Sequence, residues 1–525
     1  MPSKIAAWIL PDQLLEPARH PALVESLREN GGDQKAIRVV LIESRRHFSA
    51  LPYHKKRLVL YISAMRHYAE ELKAAGWQVD YLRAETFYDG LKLHREKHGW
   101  RNCFAMEALE YPSIKLQKQI VEKSKEVQLH LIDNSQFYWL QTEFKRPVTK
   151  NIIMENFYRT MRRHFQLLME PDGTPAGGEW NYDAENRKPL PKKLNVPESI
   201  AFEPDKITRQ VMTDVEADYA SHIGETAGFD LPVNREQATI AFDDFLQNRL
   251  AEFGPYEDAM SHKNGRLWHS VMSPVMNLGL IDALAMCRRA EAEFRAGRAP
   301  VQSVEGFIRQ IVGWREYIQW QYARQMPDLR NANGWNHSRA TPHFWWSGKT
   351  EMNCLKQIVI RLIDSGFNHH IERLMVRCNF AMLAGINPEA VANWFLTMYV
   401  DSHDWVVLPN VIGMGLNADG GKTATKPYIA SGAYINKMSD FCGHCQFHVK
   451  QRSGEGACPF NYLYWNFLVE NETKMRSNPR MGPNVLGLKH VSADERKIIS
   501  QQAKAFLEEM QSYDDPAYQP DDSMD

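Results

Sequence analysis

Five short apolar runs, at residues 5–10, 37–42, 79–82, 103–106 and 127–132, alternate with helical stretches at 58–75, 87–98 and 114–125. Buried strands separated by amphipathic helices constrain the fold more than any other feature of this chain. The alternation predicts an α/β N-terminal domain with a doubly wound parallel sheet, which receives ligands at the carboxyl edge of its strands. Pro11, Asp12, Gln13 and Leu14 follow the first run where a dinucleotide site needs a glycine-rich turn, so an ordinary dinucleotide fingerprint is excluded there.

Periodicity fades from Pro171 to about Asn234, a segment punctuated by Pro and Gly that reads as a linker wrapped over the surface. Beyond Ala238 the pattern is helical at 242–253, 275–295, 303–326, 353–365, 371–384, 390–397 and 493–510, predicting a larger all-helical C-terminal domain. The expected organisation is an α/β domain at 1–135, an interdomain linker with a helix at 136–237, a helical domain at 238–510 and a tail at 511–525. The last twelve residues hold five acids and no base, the composition of a disordered segment. Lys plus Arg number 63 against 64 Asp plus Glu, so no protein-wide basic field draws the chain to nucleic acid, and any such contact is local. Seven Cys, an odd number scattered over 525 residues, argue against paired secretory disulfides. With no run of about 18 apolar residues, a soluble cytoplasmic monomer is the expectation.

Cys442 and Cys445 put two thiolates on one tight turn, and Cys458 follows after twelve residues with Pro459 behind it. Cys354, on a predicted helix, is the candidate fourth ligand and Cys378 its rival, with His444 and His448 as alternatives. Four thiolates suit either zinc or a four-iron cluster. Gln310, Trp314 and Tyr317 recur at helical spacing and share a face. His369 and His370 are adjacent, so a helix aims at most one of them into a pocket, while Arg373 is placed to pair with Asp401. The stretch 408–415 carries Gly413 and Gly415, which permits close approach to a flat ring.

These residues carry a resemblance. The chain is similar to the photolyase and cryptochrome family, in particular the bacterial iron-sulfur branch whose members repair (6-4) photoproducts, from Asp12, Gln13 and Leu14 through Arg66 and His67 to Pro459. Residues 306–317 resemble the family's flavin-domain helix, and Ser270, Val271, Met272, Ser273 and Pro274 resemble the turn set against the flavin phosphates. The resemblance implies FAD in the helical domain, with Tyr256, Ser270 and Ser273 at its phosphates or sugar. Gln310, Arg315, Arg373 and Asp401 would surround its ring system. It implies His370 as the proton donor to a lesion flipped out of UV-damaged DNA, with His369 beside it and Tyr428 and Tyr434 near the site.

Trp346 and Trp394 match electron-relay positions, and Cys354, Cys442, Cys445 and Cys458 would hold a structural [4Fe-4S] cluster. Asp12, Gln13 and Glu43 would grip a 6,7-dimethyl-8-ribityllumazine antenna. The chain departs from the family pattern at Leu374, where animal (6-4) enzymes carry a further histidine, at Phe395, where a close relative has tyrosine, and at His47 and Tyr61 in the antenna region. Lys145, Arg146, Lys150, Arg159, Arg162 and Arg163 form the best local basic cluster for a phosphate backbone. The expected activity is light-driven (6-4) repair. A cryptochrome-type photoreceptor, supported by the acidic tail, and a DNA-binding scaffold without photochemistry are the rivals.

Overall fold

The computed structural model describes residues 5–123, 128–147, 151–191, 193, 195–510 and 512–524. Five strands, β1 (Ile5–Ile9), β2 (Ile37–Ser44), β3 (Gln78–Ala84), β4 (Asn102–Met106) and β5 (Gln128–Ile132), form one sheet in the order β3-β2-β1-β4-β5. All four pairings are parallel. Strand order reverses at β1, so the crevice between the carboxyl ends of β1 and β4 is the ligand position of a doubly wound sheet. Asp12 leaves β1 there and Glu110 leaves β4.

Central β1 is buried on both faces, as a parallel strand covered by helices must be. Ala6 and Trp8 join a small core with Phe87, Leu91 and Trp100, whereas Ala7 and Ile9 join a core that runs on through the helical half as far as Ala503. The two halves therefore share one hydrophobic interior. Among the described residues after β5 no further strand forms, only isolated bridges, in agreement with an all-helical second part.

The crossing segment is irregular except for the helix Lys206–Asp218, which sequence periodicity missed. Its short apolar stripe of Thr208, Val211 and Val215 faces the helix Lys55–Ala74, where Arg66 pairs with Asp214 at 2.8 Å and Lys55 with Glu216 at 2.6 Å. The predicted helix at 275–295 is broken: Ser273–Asn277 and Ala283–Arg295 flank Gly279, whose φ of 84° and tight approach to Leu14 and Leu15 leave no room for a side chain. The predicted helix at 303–326 is continuous but contains a π-helical turn, Arg309–Arg315, between Val301–Ile308 and Glu316–Gln325. Further π-helical turns occupy Glu372–Cys378 and Pro409–Gly415. Such turns concentrate at functional sites.

Three expectations are corrected here. The acidic tail is not loose: Asp515 accepts from the Thr341 amide, Gln519 N–H donates to Ala50 O at 2.9 Å, and Asp521, 3% exposed, accepts from Phe87 N–H at 3.0 Å. Carboxylates meeting a helix start and fixed backbone donors tie the segment down despite its charge. Arg162 does not share the exposed face of its helix. It is fully buried and donates to the carbonyls of Leu167, Leu168 and Trp180, while Arg159 is paired with Glu155. Lys150 lies outside the described residues. Finally, 408–415 is not an open glycine loop, because a Cβ at Gly413 would meet Thr423 and one at Gly415 would meet Cys378. These glycines serve internal packing.

Candidate active site

Arg373 clasps Asp401 with two bonds, Nη1 to Oδ1 at 2.9 Å and Nη2 to Oδ2 at 3.0 Å, as the sequence spacing predicted. Bidentate pairing of this kind is strong and directional. Burial pushes the Asp401 carboxyl up, but the Arg373 charge and bonds from Arg373 and Ser273 outweigh it and hold the group below its usual range. Ser273, expected at phosphates or sugar, donates its hydroxyl to Asp401 Oδ2 at 2.6 Å. Arg373 Nε also bonds Asn368 O, and Tyr399 donates to Asn368 Oδ1. The carboxylate is thus ionised, buried and fixed in direction.

His369 lies just before the helical turns begin and His370 opens them, so the two rings are not forced to opposite faces. Both converge on His269, a residue that sequence reasoning passed over although it adjoins Ser270. The His269 and His369 rings stack with centroids 4.3 Å apart, and His370 approaches His269 edge-on at 5.5 Å. Burial drives the pKa of both His269 and His369 well below the ordinary value, aided by the neighbouring imidazoles. At neutral pH these two are uncharged. His370 differs: its side chain is 41% exposed and its Nε2 stands 3.8 Å from Asp258, an ion-pair distance when the ring carries a proton. Of the three imidazoles in the cluster, His370 is the one open to solvent and facing a carboxylate.

The segment carrying His269 and Ser270 is held by Leu267 and Val271, with φ of 45° and 54°. Left-handed backbone at a β-branched residue is strained, and strain of this kind gathers where a ligand is held. Nearby, Tyr256 stacks on Trp268 at 4.6 Å, and Glu257 accepts from Gln310 at 2.5 Å. Burial pushes the Glu257 carboxyl up to about 7. Burial and the charges of Asp183 and Asp258 raise the Tyr428 phenol. Arg315 is not part of this group: it is buried against the Phe137 ring at 4.0 Å and pairs with Glu316. Both ring nitrogens of His369 and Nε2 of His269 lack hydrogen-bond partners. Orphaned polar atoms beside an ionised carboxylate and a guanidinium suit a planar, polar ring.

Cys354, Cys442, Cys445 and Cys458 line one apolar cavity with Met352, Ile435, Phe441, Phe447 and Phe460, whereas Cys378 is packed against Gly415 elsewhere. Among the described residues, the His, Cys and carboxylate trios with donor atoms all within 4.8 Å of one another are His269, His369, His370 and Asp80, His94, His98. No three sulfurs come that close, and one tetrahedral zinc would require about 3.8 Å between them. Four thiols lining one apolar cavity form a donor set of the kind that holds iron-sulfur groups. Burial and repulsion between sulfurs raise Cys354, Cys442 (to about 12) and Cys458 (to about 11), a state that a bound cationic centre relieves. The Asp80 trio is different in kind. Trp100 Nε1–H donates to His94 Nδ1, so His94 carries its own proton on Nε2 toward Asp80 and offers no lone pair to a metal.

A relative from Agrobacterium fabrum (strain C58), named (6-4) photolyase, is 40% identical over 489 residues, covering 92% of this chain and 96% of its own. The chain belongs to the photolyase and cryptochrome family. The family model for deoxyribodipyrimidine photo-lyase-related proteins matches residues 7–231. A bacterial class III photolyase from Agrobacterium tumefaciens superposes over 97% of this chain and 98% of its own with a TM-score of 0.55 at 15% identity. A cryptochrome from Synechocystis sp. PCC6803 does so over 97% and 99% with a TM-score of 0.57 at 12% identity. At those identities the two structures speak to the photolyase fold alone.

In this photolyase-family chain a second cavity opens at the sheet's switch point. Asp12, His47, Arg57, Tyr61, Glu110 and His403 line it. Burial raises Asp12 to about 6 and lowers His47 to about 4, while Tyr61 Oη lies 2.7 Å from His403 Nε2. Gln13 turns away to the carbonyls of Met106 and Glu107, and Glu43 is taken up by Arg66, Arg83 and Tyr81. Of the three residues expected here, only Asp12 faces the space. Trp394 is fully buried, with Trp346 edge-on at 6.3 Å and Tyr399 at 6.0 Å. No helix among the described residues is long and apolar enough to cross a membrane.

Proposed function

We propose that this protein repairs (6-4) pyrimidine photoproducts in DNA under blue light, with FAD as its bound cofactor. The observation that carries the reading is the 40% identity to a (6-4) photolyase over nearly the full length of both chains. The histidine cluster beside the Arg373–Asp401 pair supports it. Reduced FAD, when bound and excited, supplies the electron that opens the lesion. Asp401 would accept a hydrogen bond from the flavin ring edge and Arg373 would hold that carboxylate in place, while Gln310, Tyr256 and Ser270 complete the binding set.

His370 delivers a proton to the lesion, with Asp258 stabilising its imidazolium. His369 and His269, neutral and stacked, fix the ring's position and exclude water. Flipping costs a few kcal/mol and least at a damaged pair, so a site shaped for one extruded lesion selects for damage. The four cysteines hold a [4Fe-4S] cluster that braces the domain. The cavity at Asp12 takes a ribityllumazine-type antenna, gripped by Asp12, Arg57 and Glu110.

The test is repair of a duplex carrying one defined (6-4) photoproduct, with a cyclobutane dimer in parallel, by reduced protein in blue light and in darkness. Light-dependent loss of the (6-4) lesion alone is the expected result. Repair of neither lesion by protein that holds reducible FAD would overturn the reading in favour of a photoreceptor.

A further inference from the structure

The tail that docks on the helical half brings a phenol to the end of a row of aromatic rings. Tyr399 lies under the Arg373 guanidinium at 4.0 Å, next to Trp394, which in turn meets Trp346. Trp346 then stacks on Tyr513 with centroids 4.6 Å apart and planes 25° off parallel. Tyr513 is 40% exposed, so the row runs from the buried carboxylate pair to solvent.

The stack is held from both sides by one residue. Trp346 Nε1–H donates to Thr341 Oγ1 at 3.0 Å, Tyr513 N–H donates to Thr341 O at 2.9 Å, and Asp515 accepts from Thr341 N–H and its hydroxyl. A ring fixed at both backbone and partner is a built contact rather than a chance touch of a tail. Charge gives the row a direction. The buried Arg377 guanidinium covers Trp394 at 4.2 Å and Trp345 at 5.3 Å. A cation over an indole face opposes a second positive charge on that ring, so an electron vacancy at Trp394 moves outward to Trp346. Phe395, beside Trp394, has no phenol to intercept it.

We propose that Tyr513 is the terminal electron donor of this row. The inference rests on the flavin reading above, since light-excited oxidised flavin is the oxidant that takes the first electron, from Trp394. Trp394 recovers it from Trp346, and the Trp346 radical cation takes an electron from Tyr513. The phenol releases its proton to bulk water, leaving a neutral tyrosyl radical. A small-molecule thiol returns one electron and one proton to Tyr513. Loss of the phenolic proton to solvent makes the charge separation slow to reverse, which the half-buried Trp346 indole, whose N–H is held by Thr341, does not offer.

The experiment uses the full-length holoprotein with oxidised flavin, its FAD content measured first by absorption. Time-resolved electron paramagnetic resonance after a blue flash identifies the radical, and mass spectrometry with a nitroso spin trap locates it. The wild type is expected to give a neutral tyrosyl signal and a trap adduct on Tyr513. Tyr513→Phe, which keeps the stacked ring, loses both and shows only a tryptophanyl radical that decays faster. Tyr399→Phe retains the tyrosyl signal. A tyrosyl signal that persists in Tyr513→Phe, or a tryptophanyl radical there as long-lived as the wild-type radical, overturns the proposal. Absence of bound FAD in the purified wild type would instead remove the functional reading beneath it.

Discussion

At the scale of single residues, burial separates side chains that look alike in sequence. His369 and His370 are neighbours, yet one is sealed and neutral while the other is 41% exposed and faces Asp258. Replacing His370 by Ala is expected to lower the repair rate by about 100-fold or more, the range for one general acid, with FAD content unchanged. Repair at wild-type rate by that variant would remove the assigned role. Glu257 makes a second prediction. Its folded pKa of about 7 exceeds its ordinary 4.5, so the folded chain binds more protons than the unfolded one between those values. Stability therefore falls as pH rises from 4.5 through 7 and is level above. Glu257→Gln abolishes that decline, gaining on the order of 3 kcal/mol on the wild type at pH 8 relative to pH 4.5. Denaturant unfolding at the two pH values measures it, and parallel curves for the two proteins would contradict the assignment.

At the scale of elements, the helix Met154–Phe165 and the tail carry the clearest expectations. Arg162 is a structural cation bonded to three carbonyls, and Arg163 is an exposed one lying over the Trp180 ring at 4.5 Å. Arg162→Met leaves buried carbonyls unsatisfied and is expected to cost about 2 kcal/mol or more without altering the salt dependence of DNA binding. Arg163→Glu reverses that pattern, sparing stability while flattening the slope of log affinity against log salt by about one unit. Equal effects of the two variants in a titration over several salt concentrations would place both on the same surface, contrary to the structure. Tyr518, Pro520 and Asp521 of the tail close a cavity that adjoins the one at Asp12 and shares His47, Arg57 and Glu110 with it. A chain ending at residue 511 is expected to release any antenna bound there and to admit small quenchers to it, read by fluorescence against the full-length protein.

Across the whole molecule, the shared interior decides how the chain unfolds. Residues from β1 to the last helix contribute to one contiguous core, and ion pairs tie the helix Lys206–Asp218 across to the sheet domain. A single cooperative thermal transition is expected for the holoprotein. Residues 1–147 expressed alone expose Phe137 and Phe144, which pack on Trp405 and Trp320 of the helical half, and are expected to aggregate or lack fixed tertiary structure, as near-ultraviolet circular dichroism reports. Two well-separated transitions, or a folded fragment, would show that the sheet domain is autonomous.

What the chain determined by itself is what local pattern encodes. Short apolar runs and helical spacing specified the five strands and most helices, and the residue types at 306–317, 369–373, 401 and the cysteines pointed to the chemistry of the site. The pairing of Arg373 with Asp401 was legible because both groups are charged and neither can be buried alone. Tertiary structure decided everything that depends on which surfaces meet. The stacking of His269 on His369, the turning of Arg315 and Glu43 toward other partners, and the burial of Arg162 follow from packing between segments far apart in sequence. The acidic tail is the sharpest case. Its composition predicts disorder, but Thr341, Ser44, Lys115 and the start of the helix Phe87–His98 supply the donors that its carboxylates require, and only the folded molecule brings those donors together.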